Sequence, residues 1–299
     1  MTVSYNGQYL QKSEVAISPD DRGFLFADGV YEVIHAYQGR LFKCPEHLER
    51  LANGLRELQI NGLDPRSLEQ VAQQLIERNT LAASHALVYL QVTRGAAPRS
   101  HLFPPRGTPP TVYVQAHDFA PPAEQQQNGV TAILVPDQRW SRCDIKTIGL
   151  LPNTLARQQA QEAGAFEAIF SRDGLLQEGS HSSILFVKEN ALVCPPLTCR
   201  ILPSVTRSVV IDIALGESIK VETRPCREAE LFNFDEIMML STAVEIVPIT
   251  AVSGRKIQRG SGGPITRRLQ RAFQASIHVG QARTGNQAPR SQEQIPYEK

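Results

Sequence analysis

The chain has 299 residues, with 41% hydrophobic and 20% charged side chains. That length and apolar content suit a globular protein of about two domains. Its 31 basic and 30 acidic side chains leave a net charge of +1, which gives no reason to expect nucleic acid or an anionic membrane as a partner. No run is long and apolar enough for a membrane-spanning helix. The start, Met1-Thr-Val-Ser-Tyr-Asn-Gly-Gln, has neither a basic nor an apolar leader region, so a cytoplasmic protein is expected.

In chain order, residues 2–10 read as a strand and turn at Asn6-Gly7. Residues 27–37 alternate weakly and turn at Gln38-Gly39 into Arg40-Leu-Phe-Lys43, the pattern of a hairpin. Pro45 opens a helix with Leu48, Leu51 and Leu55 on one side. A second helix is predicted over 67–78, with Leu68, Val71 and Leu75 apolar. Strands follow over 86–93 and from Val112. Between them lies a long loop rich in Pro, Arg and Gly, 95–110, of the kind that often carries function. Residues 117–129 are polar and rich in Pro and Gln. They suggest domains at 1–118 and 130–280 with a linker at 119–129.

The second half opens with strand 130–135 and a turn, then a helix from about Asn153 to Ala163. Short strands follow, split at Arg172-Asp-Gly174 and Lys188-Glu-Asn190. Helices over 204–215 and 264–277 flank a strand over 236–241. The two halves read as separate α+β units with mixed sheets. Residues 281–299 are polar and patternless and read as a disordered tail. The five cysteines, Cys44, Cys143, Cys194, Cys199 and Cys226, are odd in number and irregular in spacing. They read as reduced thiols with no metal site, although a reactive Cys143 stays open.

One lysine stands out. Only seven of the basic residues are lysines, and Lys146 alone lies between apolar segments, Val130–Val135 before it and Ile148-Gly-Leu-Leu151 after it. Lost hydration disfavours a charged amine, and Arg139 and Arg142 push the same way. Such an amine suits Schiff-base chemistry, but a lysine snorkelling from a strand end has the same surroundings. Glu178, in Leu176-Gln-Glu-Gly-Ser-His-Ser-Ser183, is either an ordinary turn residue or a carboxylate holding a proton on a ring nitrogen. Pro203-Ser-Val-Thr-Arg207 precedes an apolar helix. Its free N–H groups and the Thr206 hydroxyl would bind phosphate, or the stretch is a plain N-cap like that of most helices. Ser241-Thr242-Ala243 ends a strand, another place where hydroxyls gather.

The order of Tyr31, His47-x-x-Arg50, Asp144-x-Lys146, Glu178-Gly-Ser, Val205-Thr-Arg and Ser241-Thr resembles the fold-type IV pyridoxal-phosphate enzymes. These include D-amino acid aminotransferases, branched-chain aminotransferases, aminodeoxychorismate lyases and (R)-selective amine transaminases. The resemblance spans Tyr5 to about Phe273. It implies a two-domain α+β architecture: a smaller N-terminal α/β sandwich, then a larger C-terminal mixed, barrel-like domain with flanking helices. It also implies pyridoxal 5′-phosphate as cofactor. Lys146 would be the Schiff-base lysine and proton shuttle, and Glu178 the partner of the pyridine nitrogen. Arg50, Val205, Thr206 and Thr242 would bind the phosphate, and Leu202 would pack on the ring. His181 and Ser183 depart from the family pattern of small residues followed by asparagine.

In Thr93-Arg-Gly-Ala-Ala-Pro-Arg-Ser-His-Leu-Phe-Pro104, the pair Arg99-x-His101 resembles the carboxylate trap of the D-amino acid aminotransferases. There, with Tyr31, it would hold the substrate carboxylate, reaching across a homodimer interface. Planar guanidinium donors match a carboxylate bidentately. The expected activity is transfer of amino groups from D-amino acids such as D-alanine to 2-oxoglutarate or pyruvate. The alternatives are another fold-type IV activity, or a non-catalytic binding protein on the same scaffold.

Overall fold

The computed structural model describes residues 1–258 and 262–279, and the expected disorder of 281–299 lies outside the described residues. The chain divides into two compact units. Unit 1 comprises Met1–Pro121 and Ile145–Leu151, and unit 2 comprises Pro122–Asp144 and the chain from Pro152 onward. Lys146 therefore belongs with the first unit, although the segments on either side of 145–151 belong to the second.

Unit 1 contains β1 (Thr2–Tyr5), β2 (Gln8–Gln11), a short helix α1 (Arg22–Phe26), β3 (Gly29–Tyr37) and β4 (Arg40–Leu41). Then come α2 (Cys44–Glu57), α3 (Ser67–Arg78), β5 (Ala86–Thr93) and β6 (Thr111–Asp118). The six strands form one sheet in the order β2-β1-β6-β5-β3-β4. Every pairing in it is antiparallel, so the mixed sheet expected of this half is not found. The predicted hairpin is present. Gln38 and Gly39 both adopt positive φ, 49° and 75°, which matches the twist of the strands they join.

Helix α2 packs on β3, and α3 on β1 and β6, giving a two-layer sandwich. Helical spacing places Leu48, Leu51 and Leu55 of α2 and Leu68, Leu75 and Ile76 of α3 in one core with Val30, Ile34, Val88 and Leu90 of the sheet. The segment after Asp144 joins this unit. Ile145 is buried in the same core, the Tyr31 N–H donates to Lys146 O at 3.0 Å, and the Ile148 N–H donates to Gly29 O at 3.1 Å.

Unit 2 contains α4 (Ala123–Asn128), β7 (Val130–Pro136), most of α5 (Leu151–Glu162), β8 (Glu167–Arg172), β9 (Leu175–Gly179), β10 (Ser183–Lys188) and β11 (Ala191–Cys194). It continues with α6 (Val205–Gly216), β12 (Val221–Thr223), β13 (Glu236–Ser241), β14 (Glu245–Val252), β15 (Arg255–Lys256) and α7 (Pro264–Val279). Its strands form a curled half-barrel in the order β12-β11-β10-β13-β14-β7-β8-β9, with β15 beside β14. This sheet is mixed: β14–β7, β7–β8 and β11–β12 are parallel. Residues 183–187 of β10 and 236–240 of β13 are buried without alternation, as suits strands covered on both faces. Within the stretch whose composition suggests a linker, Ala123–Asn128 is helical, and Gln126 Nε2 donates to Val244 O and Glu245 Oε2.

Candidate active site

The residues that the sequence marks out fall in both units, and the arrangement within each unit is its own. In unit 1, segment 145–148 lies along the start of β3, with an isolated bridge between Val30 and Thr147. This places Lys146 beside Tyr31, with Nζ 4.2 Å from the ring centroid. A cationic amine is attracted to such a ring face. Tyr31 in turn stacks on Tyr89 at 5.8 Å between centroids.

The next residue of β3, Glu32, is fully buried. It accepts from Arg50 Nε at 2.6 Å and Arg50 NH2 at 2.9 Å, and lies 2.9 Å from His47 Nδ1. Burial opposes its ionisation. The charge of Arg50 and the hydrogen bonds from His47 and Arg50 outweigh that and hold the carboxyl well below the usual range. Burial, followed by the charges of Arg50 and Lys146, pushes the His47 imidazole down against the pull of Glu32. Arg50 is oriented bidentately by a buried carboxylate that sequence reasoning passed over. A signal was present: Glu32 shares the even-numbered face of β3 with Val30, Ile34 and Ala36, where an acid needs cationic partners.

Arg99 and His101 lie exposed in the loop between β5 and β6. Both approach the ring of Phe26 at the end of α1: the Arg99 guanidinium at 5.3 Å and the His101 ring at 5.5 Å from its centroid.

In unit 2, Glu178 is the penultimate residue of β9, with 6% exposure. Its Oε1 accepts from Arg139 NH1 at 2.5 Å, and its Oε2 accepts from the Leu202 N–H at 3.1 Å. Arg139 is itself held by the buried Asp137 through Nε at 2.9 Å and NH2 at 3.0 Å. The sequence suggests Arg139 as a charge acting on Lys146. The fold makes it the partner of Glu178, 39 residues away.

The turn after Glu178 is caged by Glu167. This buried carboxylate accepts from Ser180 N at 3.0 Å and Ser182 Oγ at 2.6 Å, and lies 3.1 Å from His181 Nδ1. Burial raises the Glu167 carboxyl, but His181 and the serines bring it down to about 2. His181, one of the two departures noted above, thus pairs with Glu167, and Ser183 opens β10 opposite Leu240. Gly179 is required here, because a Cβ would lie 2.2 Å from Ser182 Oγ and 2.8 Å from Glu167 Oε2.

Leu202 leads directly into α6. Ser204 caps that helix, its Oγ accepting from the Arg207 N–H and its carbonyl from the Ser208 N–H. The N–H groups of Val205 and Thr206 have no hydrogen-bond partner among the described residues. Two donors at a helix start form a place for an anion. Thr242 lies in the turn from β13 to β14, at the end of β13 that pairs with the start of β10. Unit 2 thereby gathers Glu178, Leu202, the start of α6 and Thr242 at one end of its sheet.

The open question about Cys143 has a clear answer. Its thiol is buried, lies 3.2 Å from Trp140 O and is pushed up to about 11, chiefly by burial, so it is not a thiolate nucleophile.

In unit 1 Lys146 lies over Tyr31, and in unit 2 a salt-bridged carboxylate accompanies a helix start with open donors. The family model described as amino-transferase class IV matches residues 29–252, and the chain belongs to that family. A D-alanine aminotransferase from Bacillus licheniformis is 40% identical over 285 residues, covering 95% of this chain and 100% of that protein. One from Staphylococcus haemolyticus is 36% identical over 276 residues, covering 92% and 97%. In fold, the chain matches the branched-chain amino acid aminotransferase of Escherichia coli with a TM-score of 0.85 at 24% identity, over 92% of this chain and 93% of that one. Enzymes of this family use pyridoxal 5′-phosphate. The open N–H groups of Val205 and Thr206 and the buried, oriented carboxylate of Glu178 fit its phosphate and its ring nitrogen.

Proposed function

We infer that this protein transfers amino groups from D-amino acids, D-alanine among them, to a 2-oxo acid such as 2-oxoglutarate or pyruvate. The observation that carries the reading is the near full-length similarity to D-alanine aminotransferases. Arg99 and His101 in the loop agree with it.

When bound, pyridoxal 5′-phosphate supplies the electron sink for the substrate α-carbon. Lys146 Nζ would hold the cofactor through its amine and would carry the substrate α-proton, as a general base and then acid. Glu178 keeps a proton on the ring nitrogen, with Arg139 fixing its carboxylate. Val205 N–H, Thr206, Thr242 and Arg50 bind the phosphate, Glu32 and His47 hold Arg50 in place, and Leu202 packs on the ring. Arg99, His101 and Tyr31 hold the substrate carboxylate. A carboxylate fixed on one side and a base on one face leave a single enantiomer with its α-hydrogen toward Lys146.

The working form in this reading is a homodimer in which Arg99 and His101 serve the partner's site. Exposed Phe24, Leu102 and Phe103 in unit 1 are apolar surface for such an interface to cover. Five free thiols suit a cytoplasmic location.

The test is a comparison of donors. D-alanine with 2-oxoglutarate is expected to turn over rapidly, and (R)-1-phenylethylamine with pyruvate poorly. Lys146→Ala should abolish multiple turnover. Arg99→Ala should raise KM for D-alanine, and an unchanged rate and KM would remove the carboxylate role from the loop. A colourless protein that takes up no added cofactor would overturn the whole reading.

A further inference from the structure

The loop that carries Arg99 and His101 is not held by those residues. It is held by α1, a five-residue helix whose side chains are otherwise unexplained. Arg22, the first residue of α1, is 4% exposed although it is a full cation. Its Nε donates to Asp28 Oδ2 at 2.8 Å. Its NH1 reaches the loop, donating to Ser100 O at 2.7 Å and to Leu102 O at 3.3 Å. Those two carbonyls flank His101, and the first also adjoins Arg99.

Asp28 is the fixed point of this arrangement. It also accepts from Arg94, Nε to Oδ2 at 2.7 Å and NH2 to Oδ1 at 2.9 Å. Arg94 in turn donates to Leu58 O and Gln59 O beyond the end of α2, and its guanidinium lies 3.7 Å from the centroid of the Phe103 ring. Burial opposes ionisation of Asp28, but the hydrogen bonds and charges of Arg94 and Arg22 hold its carboxyl below the usual range. One ionised carboxylate thus ties the loop, through Arg22, to the core helix α2, through Arg94.

The rest of α1 completes a seat. Asp21 caps it, accepting from the Gly23 N–H at 2.8 Å, and also accepts from Thr93 Oγ1 and Thr111 Oγ1 at the two ends of the loop. The Arg22 N–H donates to Gly95 O, and the Ala97 N–H donates to Asp20 O. Phe26 offers the ring that both Arg99 and His101 approach, with the Arg22 guanidinium 4.7 Å from its centroid. Gly23 admits no side chain, since a Cβ would meet Thr93 Cγ2 at 2.3 Å.

We propose that Arg22, anchored by Asp28 and with Phe26 as its platform, is a positioning residue for carboxylate recognition. It fixes the backbone on both sides of His101, so that Arg99 and His101 present their donors in one geometry. Such a residue touches no substrate. It acts on the carboxylate of amino acid and 2-oxo acid alike, and is indifferent to an amine that has none. The proposal rests on the carboxylate role given above to Arg99 and His101.

The test compares Arg22→Gln and Arg22→Lys with Arg99→Ala in the cofactor-loaded full chain. A misplacement of the order of 1 Å costs about 100-fold. Arg22→Gln should therefore lower kcat/KM for D-alanine by roughly 10- to 100-fold, mostly through KM, and Arg22→Lys should lose less. Two further readouts separate positioning from general damage. Half-reaction rates with (R)-1-phenylethylamine, however slow, should be unchanged. Amide exchange over 99–103 should quicken in cofactor-free Arg22→Gln, with exchange in α2 and α3 unaltered. Phe26→Leu, which keeps an apolar side chain, should reproduce the KM effect, and an unchanged KM would remove Phe26 from the platform role. Equal losses for D-alanine and the amine would overturn the proposal, as would loop exchange at the wild-type rate. If Arg99→Ala raises KM and Arg22→Gln does not, only the positioning role fails. If Arg99→Ala has no effect, the carboxylate role of the loop fails first.

Discussion

Glu32→Gln changes a single atom type in the core of unit 1. The wild-type carboxylate has no exposure and holds a bidentate Arg50, 10% exposed in its side chain, together with His47. Glutamine keeps the shape and one acceptor oxygen, but it removes the charge and turns the other acceptor into a donor facing a cation. Removing one partner of a buried ion pair costs about 3–5 kcal/mol. With part of the hydrogen bonding retained, about 3 kcal/mol is expected here. At about 2–4 °C per kcal/mol, that lowers the melting temperature of the cofactor-free protein by roughly 6–12 °C at pH 7.

The effect has a pH signature. The Glu32 carboxyl is depressed below its ordinary 4.5 in the folded protein. Its contribution is therefore complete well above 4.5 and lost as pH falls, because the unfolded chain takes up a proton that the folded chain does not. At pH 3.5 about 1.4 kcal/mol of the difference between wild type and variant should be gone. Differential scanning fluorimetry at both pH values measures it. A shift under about 2 °C at pH 7 would refute the stability argument, on the scale of 2–4 °C per kcal/mol. So would a difference that does not narrow at pH 3.5.

Two further outcomes follow from the same geometry. The thiols of Cys44 and Cys226 are pushed up to about 12, and those of Cys143 and Cys194 to about 11, all chiefly by burial, whereas Cys199 is only half-buried. An aromatic disulfide reagent at pH 8 should therefore modify Cys199 alone until the protein is denatured, and rapid reaction of a second thiol would contradict the burial. Thr206→Val removes the hydroxyl at the start of α6 at nearly constant volume. It should weaken binding of pyridoxal 5′-phosphate by roughly 10- to 150-fold, the worth of one hydrogen bond to a charged group, and leave pyridoxal unaffected. Fluorescence titration distinguishes these cases, and equal weakening for both ligands would remove Thr206 from the phosphate site.

Local signals were the legible ones. Leu68, Leu75 and their neighbours mark α3 over the residues it occupies, because a buried stripe at helical spacing is written in the local sequence. The hairpin at Gln38-Gly39 is legible for a similar reason. What stayed hidden depends on pairing across long separations or on elements too short to have a period. Arg139 looks like a charge near Lys146 until the fold brings Glu178 to it. Asp28 and Arg94 are 66 residues apart, and only the sheet makes them partners. Helix α1 has five residues, too few to repeat an apolar position, so the seat of the loop between β5 and β6 left no pattern. Lys146 was legible as an unusual lysine. Its place beside Tyr31 comes from a segment that returns to unit 1, which composition does not record.

The central claim is that Lys146 and Glu178 serve one cofactor in a reaction selective for D-amino acids. The most direct measurement adds D-alanine, and separately L-alanine, to the protein loaded with pyridoxal 5′-phosphate, without any amino acceptor, and follows visible absorption and pyruvate. The account predicts that D-alanine removes the cofactor's visible band and releases pyruvate in proportion to enzyme, while L-alanine leaves the spectrum unchanged. An unchanged spectrum with D-alanine, or an equal response to L-alanine, would contradict it.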